Sequence, residues 1–316
     1  MARSGDEYFA YRIPGLVALG RRLVACFECR RDDSDWARID LKVLISDDGG
    51  ESWKESLFIP GDGHTMNNPT LIADGEKVHL LYCRDYKKMF HTVSADGGNS
   101  WENSVEISYA FENCGYPYTV IAVGPGHGIK TQDGTLVASV WLASNFEDPK
   151  AHKPSVIGTV YSKDCGKNWA AGDIIISEML TNPSECALGV RADGVIVNSI
   201  RNENAEKSRW QTESRTGYSD WTALREMKGL PDPTCQASLI GYDGKLYFVN
   251  CASEKKRERL TLKVSEDGFE SFKSVLLSDI GGYSDITVCE GKAYVIYEKT
   301  FTWHIDALYL RSVDLS

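Results

Sequence analysis

Six turn glycines, each followed at once by an apolar run, constrain the fold of this 316-residue chain more than any other feature. They are Gly20 before RRLVACFE, Gly75 before EKVHLLYC, Gly134 before TLVASVWL, Gly194 before VIVNSI, Gly244 before KLYFVN and Gly291 before KAYVIYE. In five of the six an Asp or Glu stands immediately before the glycine, which is the signal of a tight β-hairpin. The spacing is roughly 50 to 60 residues, in the range of four-stranded propeller blades. Near-continuous apolar runs suit strands covered on both faces by neighbouring blades, and helical periodicity is scarce. The expectation is an all-β chain forming a single six-bladed β-propeller over residues 1–316. Its last strand, Ala307–Val313, is expected to join the first blade and close the ring.

A second repeat runs out of phase with the first. Ser46-Asp47-Asp48-Gly49-Gly50-Glu51-Ser52-Trp53 is followed by related octets at Ser94–Trp101 and Ser162–Trp169. Ser265–Phe272 lacks the second glycine and the Trp, and Ser214–Trp221 keeps only its ends. The Asp accepts hydrogen bonds from turn amides, glycine supplies positive φ, and the Trp ring covers the turn. These octets resemble the Asp-boxes of sialidases. Unrelated propellers carry them too, so they argue for fold and not for chemistry.

Composition excludes several functions. With 42% hydrophobic and 25% charged residues this is an ordinary globular chain. No apolar run of about 18 residues occurs, so no membrane span is expected. Residues 1–7 lack the apolar stretch of a secretory leader, which makes a cytoplasmic location the expectation. A net charge of −10 argues against nucleic acid and anionic membranes as partners. An anion site here must therefore be a local arginine cluster. Nine cysteines are an odd number without a leader, so most read as reduced and buried, and the lone Cys26-Phe27-Glu28-Cys29 has no second pair to make a zinc site. No metal, no cofactor and no protein partner is expected.

Chemistry gathers at one end of the repeat. Arg30, Arg84, Arg201 and Glu298 lie seven to ten residues after their turn glycines, near the ends of the apolar strands. Equivalent strand ends in a propeller share a rim, so charged residues from four blades are expected to converge there. Tyr11-Arg12-Ile13-Pro14 adds a planar guanidinium suited to a carboxylate. Joined to the octets, that tetrapeptide resembles the Phe/Tyr-Arg-Ile-Pro segment of the sialidase (neuraminidase) family, and the resemblance extends over essentially the whole chain.

The resemblance implies a retaining exo-α-sialidase. Arg12, Arg201 and Arg257 match the family's three carboxylate-binding arginines, with Arg259 as the rival of Arg257. Tyr283 in Gly281-Gly282-Tyr283-Ser284 matches the nucleophile, and Glu185 in Asn182-Pro183-Ser184-Glu185 the base that activates it. A neutral Tyr avoids the repulsion a carboxylate nucleophile would meet from a substrate carboxylate. Asp35 matches the acid/base, with Asp33 as its rival. Glu298 matches the residue that orients the first arginine, and Arg30 or Arg31 one that touches ring substituents. Gly124-Pro125-Gly126-His127-Gly128-Ile129 lacks the Lys-Ser/Thr of a P-loop and looks like a rim loop, with His127 a candidate for the substrate's surroundings. His152-Lys153-Pro154-Ser155 is a second such candidate. The expected substrate is a glycan carrying a carboxylate at the anomeric carbon. Hydrolysis of another 2-keto-3-deoxy sugar acid, Kdn or Kdo, and a non-catalytic propeller that binds acidic glycans are the alternatives.

Overall fold

A computed structural model describes residues 2–3, 5, 7–299 and 307–315, and its strands form six mainly antiparallel sheets arranged as propeller blades. Part of the 1–7 stretch used above lies outside the described residues. Blade I is Ala10–Leu19, Arg22–Arg30, Ile39–Ser46 and Lys54–Ile59. Blade II is Met66–Asp74, Lys77–Arg84, Lys88–Ser94 and Val105–Glu106. Blade III combines Val120–Val123 and Ile129–Lys130 with Leu136–Ala143, Ser155–Ser162 and Ala170–Ala171. Blade IV is Cys186–Val190, Ile196–Ile200, Ser208–Ser214 and Arg225–Pro231. Blade V is Ser238–Tyr242, Lys245–Cys251, Glu258–Ser265 and Lys273–Ile280. Blade VI is Ser284–Cys289, Lys292–Lys299 and Ala307–Asp314, with Ala2–Arg3 paired on its outer edge.

The ring therefore closes differently from the sequence expectation. Ala307–Asp314 belongs to blade VI, and it is the N-terminal Ala2–Arg3 that crosses to pair with it. The short, register-specific pairing Ala2↔Leu308 and Arg3↔Ala307 has no hydrophobic signature to announce it.

The six turn glycines join the first and second strands of their blades. In blades V and VI the loop has two residues, Asp243-Gly244 and Glu290-Gly291, and all four have positive φ. That is the type I′ geometry, whose twist matches the flanking strands. Second strands are buried almost throughout, as in Leu136–Ala143, because each is covered by both neighbouring blades.

The octets close the third-to-fourth-strand turns. In the first, Ser46 Oγ donates to Asp48 Oδ1 at 2.8 Å, Gly50 N donates to Ser46 Oγ at 2.9 Å and Trp53 Nε1 to the Gly50 carbonyl at 3.0 Å. The octet at Ser265–Phe272 keeps the Ser265–Asp267 bonds, and Phe269 takes positive φ where Gly50, Gly98 and Gly166 stand in the three complete octets. These turns sit at the ends of the third strands, on the rim opposite the starts of the first strands.

One repeat escaped the sequence reading. Ile13, Asn68, Gly124 and Asn182 all have positive φ, and each precedes a proline. In blades I and II the pairing register shifts at this point, between Arg12 and Gly15 and between Asn67 and Thr70. A β-branched Ile13 there costs about 1–3 kcal/mol and persists only because its surroundings hold it. Arg12, at the edge of this shift, lines the cavity described below.

Candidate active site

First strands begin, and second strands end, on one rim, and a cavity of about 370 Å³ opens there. Its floor is built from four blades. Tyr283 precedes the first strand of blade VI, Glu185 that of blade IV, and Arg257 the third strand of blade V, while Arg12 comes from the bulge of blade I.

Tyr283 is the centre of the cluster. It is 6% exposed, and its Oη donates to Glu185 Oε1 at 2.7 Å. Arg201 Nη1 donates to the same phenol oxygen at 2.8 Å and is also bonded to Glu185 Oε2. The guanidiniums of Arg257 and Arg12 stand 5.1 and 5.2 Å from the Tyr283 ring centre. Burial raises the phenol well above its usual pKa; Arg201, Arg257 and Arg12 oppose this and Glu185 adds to it. The phenol is thus a neutral donor at neutral pH, with a carboxylate in place to receive its proton.

Glu298, fully buried, holds three groups at once. Its Oε1 accepts from Arg12 Nε at 3.1 Å and from the Ile13 amide at 3.0 Å, and its Oε2 from the Tyr283 amide at 3.1 Å. One side chain therefore clips the blade I bulge to the segment carrying Tyr283. Blade I repeats the device one step around the ring. Glu28, also fully buried, accepts from Arg30 Nε at 2.7 Å and from the Asn68 amide of the blade II bulge at 2.8 Å. Burial raises the Glu28 pKa, with Arg30 and the Asn68 amide pulling against it.

Asp35 approaches from the blade I loop. Arg30 Nη1 donates to its Oδ1 at 2.8 Å, and Arg12 Nη1 lies 3.9 Å away. Burial would push its carboxyl up, but Arg30 and then Arg12 outweigh it and hold it below the usual range. Between the rivals, Asp35 lines the cavity while Asp33 is exposed outside it, and Arg257 lines it while Arg259 does not. Arg30 lines it as well, whereas Arg31 turns away to Asp40 and the Tyr8 ring.

Two sequence expectations fail. Arg84 does not join the convergence; its guanidinium lies over the Phe90 ring at 4.9 Å, and Asn68 lines the cavity from blade II. His127 is no rim residue. It is buried on the propeller axis against Asp285 and lines a different cavity. His152, Lys153 and Ser155 do line the site.

Sequence reasoning missed Glu28, Asn68, Tyr86, Trp141 and Glu203. His152 packs on Tyr86 at 4.7 Å and Trp141 at 5.2 Å, giving the site an aromatic side. Asn182 Nδ2 donates to Glu203 Oε2 at 2.8 Å, and Lys153 pairs with the same oxygen at 3.4 Å. Glu28 was legible in principle, as a carboxylate in an apolar strand that needs a partner. The flanking Cys26 and Cys29 instead suggested a two-cysteine motif, yet they fall in separate hydrophobic clusters. Among the described residues no group of three His, Cys, Asp or Glu is placed to hold a metal.

Comparison with known proteins follows the same lines. Residues 20–295 match the BNR repeat-like domain. A sialidase of Bacteroides fragilis is 26% identical over 93% of this chain, which spans 61% of that relative's length. An exo-alpha-sialidase of Arthroderma benhamiae is 24% identical over 90% of the chain and 76% of its own length. Among solved structures, the Hadza microbial sialidase Hz136 superposes with a TM-score of 0.83 at 23% identity, covering 98% of this chain and 66% of that one. Trypanosoma rangeli sialidase in complex with 2,3-difluorosialic acid, a covalent intermediate, gives 0.78 at 20% identity over 96% of this chain and 54% of its own. At these identities the structural likeness bears on the fold.

Proposed function

We propose that this chain, which belongs to the BNR repeat-like, sialidase-like family, is a retaining exo-α-sialidase acting on terminal α-ketosidic sialic acid. The observation that carries the reading is the 2.7 Å bond from Tyr283 Oη to Glu185 Oε1 inside a ring of guanidiniums. Simple binding of an acidic glycan needs the arginines but gives no reason to bury a phenol against a carboxylate.

Arg12, Arg201 and Arg257 receive the substrate carboxylate. Planar forks fixed on three blades neutralise the charge and fix the ring. The Tyr283 oxygen then attacks the anomeric carbon while Glu185 takes its proton. Asp35 protonates the departing glycosidic oxygen, and the C–O bond breaks to leave a sugar–tyrosine intermediate. In the second step Asp35 takes a proton from water, water attacks the same carbon, and Glu185 returns the proton to Tyr283. Two inversions give net retention.

Asp35 is held ionised by Arg30 and Arg12 before substrate arrives. A substrate carboxylate that occupies Arg12 removes part of that stabilisation and raises the Asp35 pKa as the complex forms. The acid is thereby charged by binding itself.

The test is turnover of a fluorogenic α-sialoside beside matched Kdn and Kdo glycosides, with the stereochemistry of the first product read by proton NMR. Release of α-sialic acid supports the reading. Preference of tenfold or so for a non-acetylated acid, about 1.4 kcal/mol in transition-state binding, changes the substrate but keeps the mechanism. Folded protein silent on every glycoside leaves a binding propeller.

A further inference from the structure

The segment Gly124–Ile129 has no part in the chemistry just described, yet it runs along the axis of the ring. Gly126–His127 pairs in parallel with Thr70–Leu71 of blade II. The Gly126 carbonyl lies so close to Gly15 that a Cβ on Gly15 would meet it at 2.5 Å. His127, with a 6% exposed side chain, donates from Nδ1 to Asp285 Oδ1 at 2.6 Å. Asp285 is fully buried. Its Oδ2 accepts from the Leu16 amide at 2.7 Å, and its Oδ1 also accepts from the Ile286 amide at 3.0 Å.

The sequence positions give these bonds their meaning. Leu16 stands four residues beyond Arg12 on the first strand of blade I, and Asp285 two beyond Tyr283 on the first strand of blade VI. One carboxylate ties together the strands that deliver the first arginine and the nucleophile. It does so below the site, on the cavity-remote side of the Glu298 clip. A buried carboxylate needs partners that hold its orientation, and His127 is the side chain that reaches it. Gly126 leaves room for this approach, since a Cβ there would stand 3.3 Å from the Asp285 carboxyl.

We propose that His127 is a positioning residue for the Tyr283 nucleophile and acts through Asp285. The inference rests on the reading of Tyr283 as the nucleophile. His127 touches neither substrate nor reacting atoms; it fixes the carboxylate that fixes the strand. With the imidazole gone, Asp285 is free to rotate, its grip on the Leu16 amide loosens, and Tyr283 shifts relative to Arg12 and Glu185.

The test compares His127→Asn with His127→Gln. The Asn amide occupies the place of Nδ1 and keeps a donor for Asp285 Oδ1, while the Gln amide mimics Nε2 and is displaced from it. Both are assayed on an aryl α-sialoside, with circular dichroism and melting confirming the fold. The Gln variant is expected to lose about 10- to 100-fold in kcat, the scale of a misplacement of roughly 1 Å remote from the chemistry. Its KM stays within about twofold, and the Asn variant keeps kcat within about threefold of wild type. Wild-type kcat in the Gln variant, equal impairment of both, or a loss confined to KM overturns the proposal. If the Gln variant does not fold, Asp285→Asn, which keeps the shape and loses the charge pair, is read by the same split. Wild-type protein silent on all glycosides instead sinks the nucleophile reading itself, so the two failures are distinct.

Discussion

At the scale of single residues, the site is a set of unlike charges in which each group's state depends on its neighbours. Tyr283→Phe removes only the oxygen between Glu185 and Arg201. Turnover is expected to fall by about 10³-fold or more while the melting temperature holds, because groups that act as a unit are lost as a unit. Stopped assays at high enzyme concentration measure this, and near-wild-type rates remove Tyr283 from the mechanism. Arg257→Lys keeps a positive charge but replaces the fork with a point charge. KM is expected to rise by the equivalent of about 1.5–3 kcal/mol, the range for a charge-assisted bond, whereas Arg259→Lys changes little. Asp35→Ala is expected to slow natural glycosides far more than aryl glycosides with good leaving groups, which need little protonation. Equal losses on both classes point to a structural role for the loop.

Strands and turns show how those residues are held. Glu298 clips blade VI to the blade I bulge, and Glu28 clips blade I to the blade II bulge. Glu28→Gln leaves the buried Arg30 with only Asp35 as a charge partner and is expected to cost about 3 kcal/mol in urea unfolding, with a changed hold on Asp35 as a second effect. Unchanged stability would show that Arg30 finds compensation elsewhere. The octets belong to the other rim. Trp169 is buried, and its Nε1 donates to the Gly166 carbonyl at 3.1 Å. Trp169→Ala is expected to cost about 3–5 kcal/mol while leaving KM unchanged at temperatures where the protein is folded. A shift in KM would tie the octet turn to the site.

Across the whole molecule, part of the acid sensitivity lies away from the site. His79 and His91 stack in blade II under the blade III octet, with His79 Nδ1 and His91 Nε2 2.9 Å apart. Burial lowers both imidazole pKa values; Asp74 partly opposes it for His79, and His79 adds to it for His91. The sign follows from proton counting. Below about 6.5 the unfolded chain takes up protons on these imidazoles before the folded one does, so stability falls as pH drops toward the folded value of about 4 for His79. Melting curves between pH 7 and 4 should show this fall, and His91→Phe should blunt it; an unaltered slope in that variant assigns acid sensitivity elsewhere. Asp35 acts in a lower window, because its depressed pKa contributes stability above the unfolded value near 3.9 that disappears as pH falls through the folded one.

The sequence alone determined the blade count, the hairpins and the octet turns. These depend on hydrogen bonds within a few residues, as in Asp243-Gly244 or Ser46–Trp53, so the local residue types suffice. It also narrowed the site to a short set of candidates, in part through likeness to a family. Only the tertiary structure shows which of them line the cavity. Asp35 faces the cavity and Asp33 solvent, Arg257 stands over Tyr283 and Arg259 does not, Arg84 leaves for Phe90, and His127 goes to the axis. Closure by Ala2–Arg3 and the reach of Glu28 and Glu298 to the amides of the neighbouring bulges likewise came only with the fold, although the sequence had already paired Glu298 with Arg12. The physical reason is common to all of them. Convergence depends on how far each strand end reaches toward the axis, and that is set by bulges such as the one at Ile13 and by partners up to 286 residues away in sequence.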